Sequence, residues 1–133
     1  MALVLCTGRD PALMQTRRFI LEGVGHQVVV AMNEREIVTA CKQHSFDVAV
    51  IGQVISNEEK KGLFEANRAH TPSSKVLELY AAFHGRVLES ADEYLSVPVN
   101  VPQELAVRVT LLAKRQEKDR AERKRLASSA LMR

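Results

Sequence analysis

The chain has 133 residues, of which 46% are hydrophobic and 26% are charged, and its formal net charge is +3. This length fits one domain with a single core, and four prolines and six glycines are too few for a disordered or fibrous chain. No apolar run approaches the roughly 20 residues of a membrane span, and the N-terminus lacks the basic segment of a secretory signal. We therefore expect a cytoplasmic domain that makes no membrane contact, with Cys6 and Cys41 reduced.

The charge is distributed unevenly along the chain. Residues 1–113 carry 11 Lys or Arg and 13 Asp or Glu, whereas residues 114–133 carry 8 and 3. We therefore divide the chain into a domain, 1–113, and a charged C-terminal helical extension, 114–133. Acidic residues in the extension alternate with the basic ones at i, i+4 spacing, which predicts a solvated helix. Nucleic acid is not the expected partner, although contact through this basic helix is a second alternative.

Short apolar segments alternate with segments that carry helix-start signals. The predicted strands are Ala2–Cys6, Gln27–Met32, Asp47–Gly52, Lys75–Ala81 and Tyr94–Val97. The predicted helices begin after Asp10, after Asn33, after Ser56, near Phe83 and at Pro102. The fourth of these helices is expected to be short and to end near Ala91. This alternation predicts a single doubly wound (βα)5 domain of the α/β class, in which helices cover both faces of a five-stranded parallel sheet.

Two segments resemble the receiver domain of bacterial response regulators. Residues 91–98, with the sequence ADEYLSVP, are similar to the family's Gly-Ala-Asp-Asp-Tyr-Leu-x-Lys-Pro segment. Residues 10–28 resemble its first helix and second strand, and residues 46–51 resemble its third strand. The resemblance covers about residues 2–115. It implies a flavodoxin-like, receiver-like fold and a role in two-component signal transduction or a phosphorelay.

The residues of the family's phosphorylation site are replaced in this sequence. In the family, two acids hold Mg²⁺, an aspartate accepts a phosphoryl group, and a Thr or Ser and a Lys contact the phosphate. The corresponding positions here hold Gly8 and Arg9 for the acid pair, Gly52 for the acceptor, Tyr80 or Ala81 for the hydroxyl residue and Val97 for the lysine. Mg²⁺ prefers carboxylate oxygens, and the acceptor must be a carboxylate nucleophile. We therefore expect no bound Mg²⁺ or other cofactor, no metal site and no catalytic residue.

These replacements predict an atypical receiver-like domain, or pseudo-receiver, that is not an enzyme. We expect it to act by phosphorylation-independent contact with a signalling protein or an effector domain. The resemblance also implies a homodimer through the face from Phe83 to Val109. Tyr94 matches the family's switch aromatic, and we expect it to be half-buried with a bonded hydroxyl. The first alternative is a sensor of a small anion or metabolite, which would bind at Arg9 and the backbone near Gly52.

Overall fold

The computed structural model describes residues 2–53, 56–97 and 103–131, which form one α/β domain. The strands are β1 (Leu3–Thr7), β2 (Gln27–Ala31), β3 (Val48–Ile51), β4 (Lys75–Ala81) and β5 (Glu93–Val97). The helices are α1 (Pro11–Glu22), α2 (Glu34–Gln43), α3 (Asn57–His70) and α4 (Gln103–Leu131). All strand pairs are parallel, and the strand order is β2-β1-β3-β4-β5. The predicted doubly wound α/β fold is confirmed.

The core has two layers, one on each face of the sheet. Met14 of α1 and Val109 of α4 pack in the layer on one face, whereas Ile37 of α2 and Leu63 of α3 pack in the other. All four residues of β3 are buried, because this central strand is covered by helices on both faces. The continuous apolar runs of the sequence therefore mark the strands correctly.

Three helices begin at the polar residues that the sequence indicates. The side chain of Asp10 accepts hydrogen bonds from the backbone N–H groups at the start of α1. Asn33 and Ser56 do the same for α2 and α3. These N-caps satisfy backbone donors that have no partner within the helix. Helix α4 begins at Gln103, and Pro102, where we expected it to open, lies outside the described residues.

The predicted short helix between Phe83 and Ala91 is wrong, since residues 82–92 form a loop without helix. The N–H groups of His84 and Gly85 both donate to the carbonyl of Ala81, which closes a tight turn. Gly85 then takes a positive φ of +77°, a conformation that favours glycine and ends the turn.

A buried carboxylate accepts hydrogen bonds from backbone N–H groups of this loop. Glu78 of β4 accepts hydrogen bonds from the N–H groups of Val87, at 2.9 Å, and Leu88, at 2.9 Å. The same carboxylate binds the Lys60 ammonium at 2.8 Å, and that ammonium also donates to the Leu79 carbonyl. Lys60 and Glu78 are both buried. The loop therefore follows the sheet because a β4 side chain holds it there.

Helix α4 contacts the domain well beyond residue 113. Gln116 is fully buried, Asp119 is bonded to Lys75, and Arg120 donates to Asp47 at 2.7 Å. The hydrogen bond and charge of Lys75 hold the pKa of Asp119 below its usual range. The helix is exposed from residue 121 to residue 130, so the solvated part of the extension begins about seven residues later than the charge pattern indicates.

None of the helices in the three described ranges is long and apolar enough to cross a membrane. Helix α4, although it has 29 residues and a length of about 43 Å, is largely polar in its second half.

Candidate functional site

The candidate site is a crevice at the carboxyl ends of β1 and β3, between which the strand order reverses. Open parallel sheets bind ligands at such a switch point. The N–H of Gly52, directly after β3, donates to the carbonyl of Thr7 at 3.0 Å. A Cβ atom on Gly52 would lie 3.5 Å from the Cα of Gly8. Two of the positions singled out in the sequence, Gly8 and Gly52, are therefore adjacent in space.

The backbone around Gly52 leaves no room for a side chain. A Cβ atom there would lie 2.8 Å from the Thr7 carbonyl oxygen, closer than real Cβ contacts. It would also lie 3.1 Å from Nη1 of Arg17. Glycine is thus required at this position by the close approach of β1 and by a cation that already occupies the space.

Arg17 of α1 is the buried cation of the crevice. The residue is only 5% exposed, and its Nη2 donates to the Gln53 side-chain oxygen at 2.5 Å. Nη1 is buried and has no hydrogen-bond partner among the described residues. Burial lowers the pKa of Arg17, while the neighbouring Cys6 and Asp10 act in the opposite direction. A guanidinium stays protonated in proteins, so the crevice contains a permanent positive charge.

Cys6 of β1 lies near this cation but is chemically inert. Burial raises the pKa of the Cys6 thiol to about 12, and the charge of Arg17 only partly opposes that effect. The residue is fully buried and has no disulfide partner. A neutral thiol is neither a nucleophile nor a metal ligand, so Cys6 is a core residue.

Arg9, in contrast, has an exposed side chain. Its guanidinium is paired with Glu59 of α3, and the two side chains are 56% and 40% exposed. An exposed pair of this kind contributes little to stability. The guanidinium of Arg9 is thus engaged by Glu59, and the arginine with a nitrogen next to Gly52 is Arg17. Anion binding by Arg9 and Gly52 stays a prediction.

The crevice does not fit a magnesium ion. Two carboxylates lie near the former acid-pair positions: Asp10 is exposed and bonded to the N–H groups that begin α1, and Glu59 is paired with Arg9. The buried guanidinium of Arg17 repels a cation at the position beside Gly52. Within the described ranges, no group of three His, Cys, Asp or Glu side chains could hold a metal.

The positions that correspond to the family's hydroxyl residue and lysine lie on the neighbouring strands β4 and β5. Ala81 of β4 is paired with Val97 of β5, and Tyr80 is paired with Ser96. Neither Ala81 nor Val97 has a polar side-chain atom. The guanidinium of Arg86 lies 5.8 Å from the Tyr80 ring centroid, so that ring is half-buried beneath a loop cation.

Tyr94 of β5 is half-buried, and its hydroxyl donates to the Leu88 carbonyl at 2.6 Å. Arg86 lies 4.3 Å from the centroid of its ring, within the range of a cation–π interaction. Tyr94 therefore has the packing that we expected and ties β5 to the loop held by Glu78. Its role as a switch residue stays a prediction.

A second feature is a set of exposed apolar side chains on the loop 82–92 and on α4, on either side of β5, which we call the β5–α4 face. Phe83 is 87% exposed, and Val107 and Leu111 are both more than half exposed. Glu93 and Arg108 form an ion pair across this face at 3.2 Å. It overlaps the range from Phe83 to Val109 that we expected to contact a partner, and that contact stays a prediction.

Sequence reasoning missed the buried charges, although their spacing carries a signal. Arg17 follows Met14 by three residues and precedes Leu21 by four, so it lies on the apolar stripe of α1. Lys60 precedes Leu63 by three residues, on the buried stripe of α3. A charged residue at such a position predicts a buried partner in the fold.

Known proteins resemble this chain in structure rather than in sequence. No protein-family model matches it, and no curated protein matches it. A response regulator receiver domain protein (CheY-like) from Methanospirillum hungatei matches with a TM-score of 0.76 and 25% identity, covering 90% of this chain and 98% of that chain. The receiver domain of Francisella response regulator 1452 matches with a TM-score of 0.69 and 25% identity, covering 86% and 98%.

A third solved structure is the response regulator TrrA from Thermotoga maritima, determined in complex with Mg²⁺–BeF. It has a TM-score of 0.70 and 22% identity, and the match covers 84% of this chain and 99% of that chain. These structures confirm the resemblance to receiver domains that the sequence indicates.

Proposed function

We propose that this receiver-like domain acts in signal transduction by contact with another protein, without aspartate phosphorylation and without catalysis of its own. The observation that carries this proposal is the guanidinium of Arg17 beside Gly52. Nη1 of Arg17 lies 3.1 Å from the point where the first carbon of an acceptor side chain would stand on Gly52.

The chemistry of phosphoryl transfer explains why this arrangement argues against phosphorylation. A carboxylate must attack phosphorus, and a divalent cation must offset the charge that develops on the phosphoryl oxygens. Gly52 supplies no nucleophile, and Asp10 is engaged at the start of α1. Arg17 supplies a positive charge but is fixed by burial and by its bond to Gln53.

We place the partner contact on the β5–α4 face, with a second copy of this chain as the occupant. Phe83, Val107 and Leu111 expose apolar side chains there, and Glu93 and Arg108 supply both signs of charge. A two-fold axis through such a face can pair each charge with its opposite on the second copy. In a longer protein or a complex, the same face would serve a signalling protein or an effector domain in the cytoplasm.

Phosphorylation is tested by incubating the full chain with acetyl phosphate and Mg²⁺ and measuring its intact mass. A receiver domain that has an acceptor aspartate is the positive control. We expect the mass of this chain to stay unchanged. A mass increase of one phosphoryl group on a carboxylate would overturn the proposal.

The contact face is tested by light scattering after size exclusion, over a range of protein concentrations. We expect concentration-dependent dimers that are lost in Leu111→Glu. Leu126→Glu is the matched control, because Leu126 is equally exposed but lies on the free end of α4. A wild-type chain that is monomeric throughout, or equal loss in both variants, would refute the dimer.

A further inference from the structure

We propose that a groove between α4 and the start of β5 binds an acidic amphipathic segment of a partner protein. The groove has a volume of about 360 Å³, and we call it the basic groove. Its lining includes one carboxylate, one leucine and four cations: Glu93, Leu111, Arg108, Lys114, Arg115 and Lys118. The inference rests on the proposed function, because it names the chemistry of a protein that this side of the domain would contact.

Three of the four cations in the basic groove are unpaired. Lys114, Arg115 and Lys118 are exposed, and no carboxylate among the described residues forms an ion pair with them. The fourth cation, Arg108, is already bonded to Glu93 at 3.2 Å and to a second carboxylate on α4 at 3.4 Å. The groove therefore has an excess of positive charge, which attracts carboxylates of a partner.

The acidic residues of α4 that could neutralise these cations are bonded elsewhere. Asp119 follows Arg115 by four residues, but its carboxylate is bonded to a lysine of β4. Glu122 follows Lys118 by four residues, but it is bonded to Arg125 at 2.6 Å. The i, i+4 pairs that the sequence indicates are thus replaced by other pairs, which leaves the cations of the groove available to a partner.

The basic groove also has an apolar component. Most of its surface is apolar, and Leu111 is 53% exposed. The methylene stems of lysine and arginine side chains add apolar contact below their charged ends. Lys114 and Lys118 are about one helical turn apart, or about 6 Å along α4. A partner helix that carries carboxylates one turn apart beside an apolar side chain would match both features, whereas a nucleic acid backbone would match only the charges.

The test is a titration of the full chain with a fluorescent helical peptide that carries Glu on one face and Leu on the other. We expect saturable binding by fluorescence anisotropy, and none by a peptide in which Lys replaces every Glu. An acidic peptide in which Ala replaces every Leu should bind more weakly, because it lacks the apolar contact. Because the groove shares Leu111 with the β5–α4 face, the titration is made at concentrations at which light scattering finds monomers.

A double charge reversal in the groove tests the location of binding. Arg115→Glu combined with Lys118→Glu should weaken peptide binding by about tenfold or more, because repulsion replaces attraction at two positions. Arg123→Glu combined with Lys124→Glu is the matched control, since it makes the same change in net charge at exposed positions of α4 outside the groove. The control should bind the peptide as the wild type does. Equal loss in the two double variants would overturn the inference.

The apolar contact is tested separately, with a change that leaves the charge of the chain unaltered. Leu111→Ala should weaken binding of the acidic peptide. Leu126→Ala, on the free end of α4, should not, although Leu126 is equally exposed. Equal binding by Leu111→Ala and the wild type would contradict the proposed amphipathic partner.

A DNA duplex, titrated at the same ionic strength, is the second probe. It should bind more weakly than the acidic peptide. Tighter binding of the duplex, or no saturable binding of the peptide, would overturn the inference. Light scattering reports on the dimer alone, so the two proposals fail separately. A monomeric chain that binds the peptide refutes the dimer and supports the groove, whereas a dimerising chain that does not bind the peptide refutes the groove only.

Discussion

The buried pair of Lys60 and Glu78 gives the most demanding prediction about stability. Glu78→Leu removes the partner of a buried ammonium and the acceptor of two backbone N–H groups, those of Val87 and Leu88. Lys60→Met removes only the cation and leaves the carboxylate bonded to both amides. The structure therefore predicts a larger loss of stability for the first change than for the second.

The magnitudes follow from the number of groups left unpaired. Breaking a buried ion pair by removing one partner costs about 3–5 kcal/mol. We expect the loss of unfolding free energy to be about 3 kcal/mol in Lys60→Met and about 5 kcal/mol in Glu78→Leu. Either loss is a large part of the roughly 5–15 kcal/mol that stabilises a typical domain. The double variant leaves no unpaired charge, so its loss should be clearly smaller than the sum of the two single losses.

Urea denaturation of the three variants measures these differences, and amide hydrogen exchange shows where they act. Protection of the Val87 and Leu88 amides should fall in Glu78→Leu and persist in Lys60→Met. Glu78→Gln, which keeps one acceptor oxygen, should fall between the wild type and Glu78→Leu. A loss below about 1 kcal/mol in Glu78→Leu, or additive effects in the double variant, would refute the reasoning.

Three further changes test other features of the fold. Gln116→Leu should raise the free energy of unfolding by about 1–3 kcal/mol in urea denaturation. The reason is that both polar atoms of the Gln116 amide are buried without a partner among the described residues. A lower free energy of unfolding in this variant would contradict the argument. Burial, followed by the positive N-terminus, lowers the pKa of His26 below 6.5, so the unfolded chain binds more protons. Stability should therefore fall as the pH drops through 6.5 towards the folded pKa, and a profile as steep in His26→Gln would rule out this cause. Gly52→Ala should lower the melting temperature, because its Cβ would lie 2.8 Å from the Thr7 carbonyl oxygen. Gly62→Ala should raise the melting temperature, because alanine favours the helix and its Cβ would lie no closer than 3.8 Å to a neighbouring atom. Equal effects of the two changes would contradict the crowding argument.

The parts of the fold that could be predicted from the sequence are those fixed by neighbouring residues. The apolar run Val48–Ile51 identifies a strand covered on both faces. Asp10, Asn33 and Ser56 identify helix starts, because an N-cap acts within three residues of itself. The strand order comes from the structure, because right-handed connections of alternating strands and helices are compatible with more than one doubly wound order.

The features that could not be predicted depend on partners far away in the chain. The segment 82–92 has helical spacing, but its N–H groups bond to Glu78, whose position depends on the sheet. Gln116 looks like a solvated residue, yet α4 buries it against the domain. Arg17 differs, because its place on the apolar stripe of α1 was visible in the sequence. What the sequence could not supply was its neighbour, Gly52, which lies 35 positions further along the chain.

The central claim is that the crevice beside Gly52 has no magnesium-dependent phosphoryl chemistry. The most direct measurement is an amide NMR titration of the full chain with Mg²⁺, first alone and then with beryllofluoride, which mimics an acyl phosphate. We predict no saturable shift at Gly8, Gly52 or Tyr80, either with Mg²⁺ alone or with Mg²⁺ and beryllofluoride together. Saturable shifts at these residues that require both Mg²⁺ and beryllofluoride would contradict the account.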